Sequence, residues 1–292
     1  MKQGKQSRRH WIKDTLAGTA GAAGLVALPR ERAQGSVAPE PELTFVLVHG
    51  TWHGGWVWRD VRQRLRALGH QVFTPTCTGC GEREHLSSPD VGLDTHIRDI
   101  INVIEFEELD NVVLVGHSFA GLTITGVADG LRDRIRHLIF FDALVPHDGR
   151  LAAIPRDPDS GEWPKWFQER QTRFIDGYRM VLWEDYPVDM LVPASEEAIV
   201  ARLKRLITTH PMRQWTDELV LDNGGWAGLP RSYIHAVGQQ YRMSSEAMVG
   251  PARKPGWHFV ELDVPRDGML THPELVTETL IDLAQRGPAV AP

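Results

Sequence analysis

Residues 111–121 have the sequence NVVLVGHSFAG, in which a continuous apolar run leads into a turn of small residues. An unbroken apolar run of this length is typical of a strand that is buried on both faces of a sheet. Ser118 follows that strand, and a helical pattern begins at Ala120. A serine on a tight turn between a strand and a helix projects its hydroxyl above the sheet, so Ser118 is the candidate nucleophile.

Strands and helices alternate on both sides of this stretch. The patterns predict further strands at residues 43–48, 71–75, 137–141, 232–237 and 258–262, and helices at residues 58–68, 94–109, 120–131 and 273–284. Such alternation predicts an α/β fold with a mostly parallel sheet and helices on both of its faces.

The alternation stops at residues 146–229, which are rich in proline, tryptophan and charge and contain one clear helical pattern, at residues 195–206. An insertion of this kind between consecutive strands predicts a helical cap over a pocket. The alternative is that its aromatic side chains only pack against one another. They are Trp163, Trp166, Phe167, Phe174, Tyr178, Trp183, Tyr186 and Trp215.

The first 38 residues differ in composition from the rest of the chain. Arg8 and Arg9 form a pair in a basic start, and residues 16–28 are apolar but too short and glycine-rich to span a bilayer stably. This pattern is typical of a twin-arginine export signal, and its alternatives are a disordered tail or a poor membrane anchor. We expect export to the periplasm or the medium, with no stable membrane span after processing.

Composition excludes several kinds of partner and cofactor. The net charge is −6 and there is no basic stripe, which argues against a nucleic-acid partner. Cys77 and Cys80 are the only cysteines, and without a second pair they do not predict a metal site. A local disulfide and two packed thiols remain as alternatives for them. We predict no cofactor.

The loop after the first predicted strand contains the sequence His49-Gly50-Thr51-Trp52. In a fold with a serine on a strand-to-helix turn, this loop offers one backbone N–H and the residue after the serine offers another, and together they hold an oxyanion. We assign these donors to Thr51 and Phe119. The interpretation we favour for His49 and His53 is that they brace the loop through hydrogen bonds.

Five motifs together resemble one branch of a known superfamily. They resemble the esterase and hydroxynitrile-lyase branch of the α/β-hydrolases, in particular its bacterial esterase group, over almost all of residues 39–292. The resemblance implies the α/β-hydrolase fold with an inserted cap and a small-molecule substrate, which the aromatic cap predicts to be apolar or aromatic. The motifs are FVLVHGTWHGGWVW (residues 45–58), TPTCTGCGEREHL (74–86), GHSFAG (116–121), FFDALVPHDG (140–149) and TTHPM (208–212).

The third member of a serine triad is a carboxylate that orients the base. Asp142 ends the strand that follows the nucleophile helix, a position that some α/β-hydrolases use. The commoner position follows the next strand, where residues 235–240 contain no acid. Asp142 is therefore the candidate.

The base departs from the family's pattern. In the resembled family the last strand leads into G-H-D-x-M, whereas this chain has Pro265-Arg266-Asp267-Gly268-Met269, so Arg266 stands where the histidine is expected. An arginine remains protonated at neutral pH and cannot accept the proton of a serine. In one interpretation His272 reaches back as the base, and its alternative is that His272 is only the neighbour of a helix start at Pro273. In the other, Arg266 presents a fixed cation above Ser118.

We therefore expect an exported serine hydrolase that cleaves an ester or a related carbonyl compound through an acyl-enzyme on Ser118. Trp52, His85 and Arg266 are the candidate pocket residues, and His210 is a further histidine that could point inward. The alternatives are a lyase or isomerase that polarises its substrate without acylation, and a binding protein with a degenerate site.

Overall fold

The structure is a computed structural model that describes residues 42–147, 151–183, 186–238 and 249–287. The predicted export signal at residues 1–38 lies outside the described residues and stays a prediction. Among the helices of the described residues, none combines the length and apolar character needed to cross a membrane.

Six strands form one parallel sheet, which confirms the predicted α/β architecture. In chain order the strands are β1 (Thr44–Val48), β2 (Gln71–Phe73), β3 (Val112–His117), β4 (Ile135–Phe141), β5 (Arg179–Met180), β6 (His210–Pro211), β7 (Arg231–Ala236) and β8 (His258–Leu262). The sheet has the order β2-β1-β3-β4-β7-β8, and β5 and β6 form a separate antiparallel pair.

Helices cover both faces of this sheet. The helices are α1 (Arg59–Ala67), α2 (Leu93–Phe106), α3 (Ala120–Gly130), α4 (Lys165–Gln171), α5 (Glu197–Leu206), α6 (Arg213–Thr216), α7 (Gly268–Thr271) and α8 (Pro273–Gln285). Leu65 of α1 and Leu280 of α8 share a core cluster with Val115, whereas Ile104 of α2 and Ile124 of α3 pack in a second cluster. That second cluster contains Leu114, so successive residues of β3 serve opposite faces, as an uninterrupted apolar strand requires.

The segment between β4 and β7 carries α4, α5, α6 and the β5–β6 pair. The sequence predicted only the helix that the structure shows as α5. The other elements are two to seven residues long, which is too short for a periodic apolar pattern to reveal them.

All strands of the main sheet run in the same direction, so the loops at their carboxyl ends meet along one edge. This is the edge at which ligands bind in open α/β sheets. The loops after β1, β3, β4 and β8 carry Thr51, Ser118, Asp142 and Arg266 respectively.

Candidate active site

Ser118 lies on a strained turn between β3 and α3. Its φ is +59°, in the left-handed region that non-glycine residues rarely adopt. The turn is held by two backbone hydrogen bonds: the Ser118 N–H donates to the Phe141 carbonyl at 3.1 Å, and the Leu144 N–H donates to the Ser118 carbonyl at 2.9 Å. The neighbouring strand β4 therefore fixes the position of the serine.

Two glycines allow the backbone to close around this turn. A Cβ atom on Gly121 would lie 1.9 Å from the Leu144 carbonyl oxygen, and one on Gly50 would lie 2.7 Å from the Ser118 Cβ. In the G-x-S-x-G turn of the α/β-hydrolases that the sequence resembles, this glycine stands one residue earlier, where this chain has the buried Ala120. In this chain the contact that excludes a side chain falls on Gly121 instead.

Thr51 and Phe119 supply the amides expected of an oxyanion hole. Both residues are buried and both line the cavity beside Ser118. Within the described parts of the chain, neither backbone N–H has a hydrogen-bond acceptor. Buried amides are nearly always paired, so two unpaired ones beside a serine are what a site for a developing negative charge requires.

Arg266 occupies the place of the triad base. Its Nη2 donates to the Ser118 Oγ at 2.6 Å, and its Nη1 donates to the Asp142 carboxylate. The structure thus brings Ser118, Arg266 and Asp142 together in the order in which a serine, a base and an acid would stand. The three are joined through a buried guanidinium that offers only donors.

The Asp142 carboxylate has a second basic neighbour. His235 Nδ1 lies 3.3 Å from its Oδ1. Burial alone would raise the pKa of Asp142, but the Arg266 guanidinium and His235 outweigh burial and hold that pKa below its usual value. Asp142 is therefore ionised at neutral pH and balances the charge of Arg266.

The structure corrects two of the sequence-based assignments. His272 is exposed at the start of α8 and its Nδ1 contacts the Thr271 hydroxyl at 2.8 Å, so the prediction that it reaches back to Ser118 is wrong. His85 is exposed on a short 3-10 helix, Gly81–Leu86, and does not line the cavity. Trp52 and Arg266 do line it.

The histidines of the oxyanion loop brace the backbone, as predicted. His49 Nδ1 donates to the Gly50 carbonyl at 2.8 Å, and its Nε2 accepts from the Cys77 N–H at 3.0 Å. Burial lowers the pKa of His49 to about 4, so it is neutral at pH 7. His210 is buried and accepts from the Trp52 N–H at 3.3 Å, so it too supports this loop.

His53 links the oxyanion loop to the loop that carries Arg266. Its Nδ1 lies 2.8 Å from the Thr51 carbonyl and its Nε2 lies 3.0 Å from the Asp267 carboxylate. Both partners are oxygen acceptors, so His53 connects the two loops through its two ring nitrogens. Burial alone would raise the pKa of Asp267, but His53 outweighs it and the pKa is lowered.

The cavity above Ser118 has a volume of about 200 Å³. Its lining is largely aromatic and aliphatic, and its described residues include no histidine, acid, lysine or cysteine. The cap contributes Trp166, Tyr186 and Trp215, whereas other cap aromatics such as Phe167 and Phe174 pack against each other. The lining residues are Thr51, Trp52, Ser118, Phe119, Leu144, Ala153, Ile154, Trp166, Tyr186, Trp215 and Arg266.

Trp215 connects this lining to the oxyanion loop. Its indole N–H donates to the Thr51 hydroxyl at 3.1 Å, and its ring lies parallel to that of Phe119 with the centroids 6.4 Å apart. Flat, parallel ring faces in the cavity favour an apolar or aromatic ligand.

Cys77 and Cys80 are buried free thiols, which is the packed-thiol alternative of the sequence analysis. Burial raises the pKa of both, so neither is a reactive thiolate. Across the described residues, no group of three or more His, Cys, Asp or Glu side chains is placed to hold a metal ion.

The partners behind the site carry little signal in the sequence. The stretch that contains His235 stands out only for lacking an acid, and Asp267 stands out only as part of the aligned motif. Both contacts join residues from distant parts of the chain, 93 and 214 positions apart in sequence for His235–Asp142 and His53–Asp267. The one available clue was the presence of His53 in the oxyanion loop.

Comparison with known proteins shows the family. The profile of the alpha/beta hydrolase family matches residues 45–278. A carbendazim hydrolyzing esterase from Nocardioides sp. (strain SG-4G) is 39% identical over 249 residues, covering 82% of this chain and 98% of the relative. Methylesterase 8 from Arabidopsis thaliana is 32% identical over 218 residues, covering 68% of this chain and 75% of the relative.

One solved structure shows the same fold. It is an extracellular alpha/beta-hydrolase from a Paenibacillus species, 24% identical, with a TM-score of 0.71 and coverage of 84% of this chain and 100% of that one. With the profile match and the curated relatives, the chain belongs to the alpha/beta hydrolase family, in its esterase-like branch.

Proposed function

We propose that the chain is an ester hydrolase in which Ser118 attacks the substrate carbonyl and becomes acylated. The observation that carries the proposal is the pair of unpaired amides, on Thr51 and Phe119, that line the cavity beside the strained serine. Two such donors beside a serine hydroxyl are what a tetrahedral intermediate on that serine requires.

Arg266 does not accept the proton of Ser118. Its positive charge instead stabilises the negative charge that forms on the Ser118 Oγ when that proton leaves. A cation 2.6 Å from the Ser118 Oγ favours the alkoxide over the hydroxyl. Asp142 then has the task of holding the guanidinium in place through the ion pair between them. The serine proton leaves to hydroxide from the solvent.

The substrate that we propose is a small apolar or aromatic ester. The aromatic lining supports this, and so does the 39% identical relative that is named for hydrolysing carbendazim. Simple aryl esters are therefore the first compounds to assay.

The proposal is tested by labelling with a fluorophosphonate and locating the adduct by mass spectrometry. We expect labelling of Ser118 together with turnover of an aryl ester, and loss of both in Ser118→Ala. The matched control is His272→Ala, which removes an exposed histidine outside the cavity and should leave both unchanged. Aryl ester turnover that persists in Ser118→Ala would refute the role of Ser118.

A lyase or isomerase is the second candidate, because the guanidinium bound to Ser118 Oγ could polarise a carbonyl without acylation. Turnover of a carbonyl compound without labelling of Ser118 would favour it. Ligand binding without labelling or turnover would favour a binding protein instead.

We also propose that residues 1–38 direct export through the twin-arginine route, on the basis of the arginine pair and the apolar stretch that follows it. Fusing these residues to a folded reporter tests this. Export should stop when Arg8 and Arg9 are both replaced by lysine, and export that persists in that variant would contradict the proposal.

A further inference from the structure

The described lining of the cavity offers neither a histidine nor a carboxylic acid to protonate a departing alkoxide. Arg266 keeps its charge throughout, because a guanidinium is a very weak acid. The Thr51 hydroxyl, which accepts from the Trp215 indole N–H, is an alcohol and no stronger an acid than a leaving alkyl alcohol. The Tyr186 hydroxyl is bound by the Arg170 guanidinium, which also covers the tyrosine ring at 4.5 Å.

The buried histidines near the site do not fill this role, because none of them lines the cavity. His117 precedes Ser118, but its ring packs between Trp58 and Phe141 and is absent from the cavity lining. His235 lies behind Asp142, on the carboxylate oxygen that Arg266 does not bind, and it does not line the cavity either.

In an ordinary triad one histidine does two jobs. It takes the proton from the serine and then delivers that proton to the leaving group. A guanidinium that cannot take the first proton has none to deliver. An arginine at residue 266 therefore removes two contributions to acylation. It removes general base catalysis of the attack by Ser118, and it removes general acid catalysis of the departure of the leaving group.

The reaction can still proceed with hydroxide as the only co-reactant. Hydroxide takes the Ser118 proton to form water, and the alkoxide forms a bond from Oγ to the carbonyl carbon. The bond from that carbon to the leaving oxygen breaks, and the electron pair departs on the leaving oxygen. A second hydroxide then breaks the bond between the acyl carbon and Oγ, and the acid formed returns its proton to Ser118.

We infer from this arrangement, resting on the proposed function, that the site selects esters by the acidity of their leaving group. Phenols, enols and heteroaromatic hydroxyls depart as stable anions without a proton, and their esters are the substrates. Esters of simple alkyl alcohols are not, because an alkoxide needs a proton as it leaves. The parallel rings of Phe119 and Trp215 suit the flat leaving groups of the first class.

The test is a series of acetate esters whose leaving groups fall in acidity from 4-nitrophenol through phenol to ethanol. The quantity to compare is kcat/KM, which reports acylation, after subtraction of the rate with Ser118→Ala. We expect the wild type to prefer 4-nitrophenyl over phenyl acetate by about 100-fold, with no measurable hydrolysis of ethyl acetate. In Arg266→His, which restores a proton carrier, the preference should shrink to about tenfold and ethyl acetate should be hydrolysed.

The outcomes separate this inference from the function on which it rests. If the fluorophosphonate labels Ser118 and the enzyme hydrolyses ethyl acetate and phenyl acetate at similar rates, the inference is overturned. The proposal that the protein is a serine hydrolase would then still hold. If Ser118 is not labelled and no ester is hydrolysed, the inference and the proposed function are both refuted. If Arg266→His fails to fold, the wild-type series alone tests the inference. The dependence of its kcat/KM on the acidity of the leaving group needs no variant other than the Ser118→Ala blank.

Discussion

The two sides of Ser118 differ in how closely they follow the esterase pattern. On the oxyanion side, the loop after β1 and the turn before α3 keep their two amides, the glycine at residue 50 and the bracing histidines. On the base side, the loop after β8 places an arginine where a histidine belongs. The parts that stabilise a negative charge can therefore be kept while the part that moves protons is replaced.

The difference has a physical basis. The oxyanion side consists of backbone groups, so no exchange of a single side chain at Thr51 or Phe119 removes its two N–H donors. The base side depends on one side chain, and Asp142 can bind a guanidinium as well as it would bind an imidazolium. Either an arginine or a protonated histidine at residue 266 can therefore form an ion pair with Asp142.

The largest expected effect comes from Ser118→Ala. Removing the proposed nucleophile should lower kcat/KM for 4-nitrophenyl acetate by about 10⁴-fold or more, since the proposed acylation route is then lost. Circular dichroism checks that the variant is folded. A loss of less than tenfold would show that the oxyanion side works without the serine.

The next effect is a gain, in Arg266→His. A histidine beside Asp142 would be oriented as a base, and we expect kcat/KM at pH 7 to rise by about 100-fold. Arg266→Gln is the matched control, because it opens similar space and supplies no base, and it should lose activity. An equal gain in both variants would mean that the arginine only blocks the pocket.

Gly50→Ala should perturb the oxyanion side. The added Cβ would lie 2.7 Å from the Ser118 Cβ, so the loop and the serine must move apart and the amide of Thr51 must move with them. We expect kcat to fall about 10- to 100-fold, because displacing one oxyanion donor reduces the stabilisation of the transition state more than that of the ground state. The control is Gly130→Ala, where the new Cβ meets only Ile101 Cδ1 at 3.5 Å, an ordinary contact. If the two variants had the same activity, the close approach of Gly50 would not matter.

The smallest effect is on stability, through the buried histidines around the site. Burial lowers the pKa of His49 to about 4 and those of His96 and His117 to about 3, against about 6.5 in an unfolded chain. Between those values the unfolded state binds more protons, so acidification destabilises the fold, by up to about 1.4 kcal/mol per pH unit for each histidine. The thermal midpoint should fall by about 10 °C or more from pH 7 to pH 5. A midpoint that stays constant over this range would contradict neutral burial of these side chains.

The sequence predicted the parts of the site that local patterns determine. Ser118 stands on the turn that its apolar strand and small neighbours indicated, and Arg266 stands where the alignment put it. The role predicted for His272 was wrong because its distance along the sequence from residue 266 does not determine the direction of its side chain. His272 immediately precedes a helix, and its ring contacts the Thr271 hydroxyl. The contact between His235 and Asp142 depends on how the ends of β7 and β4 are placed relative to each other, which no local pattern specifies.

The pH dependence of kcat/KM for 4-nitrophenyl acetate tests most directly whether Arg266 has replaced the base. With hydroxide as the only proton acceptor, the wild-type rate above the Ser118→Ala blank should rise about tenfold per pH unit from about pH 5.5 to about pH 9. Arg266→His should instead level off above pH 7, as a histidine base does. A wild-type profile that already levels off near pH 7 would contradict the account, because it would show that a histidine serves Ser118 after all.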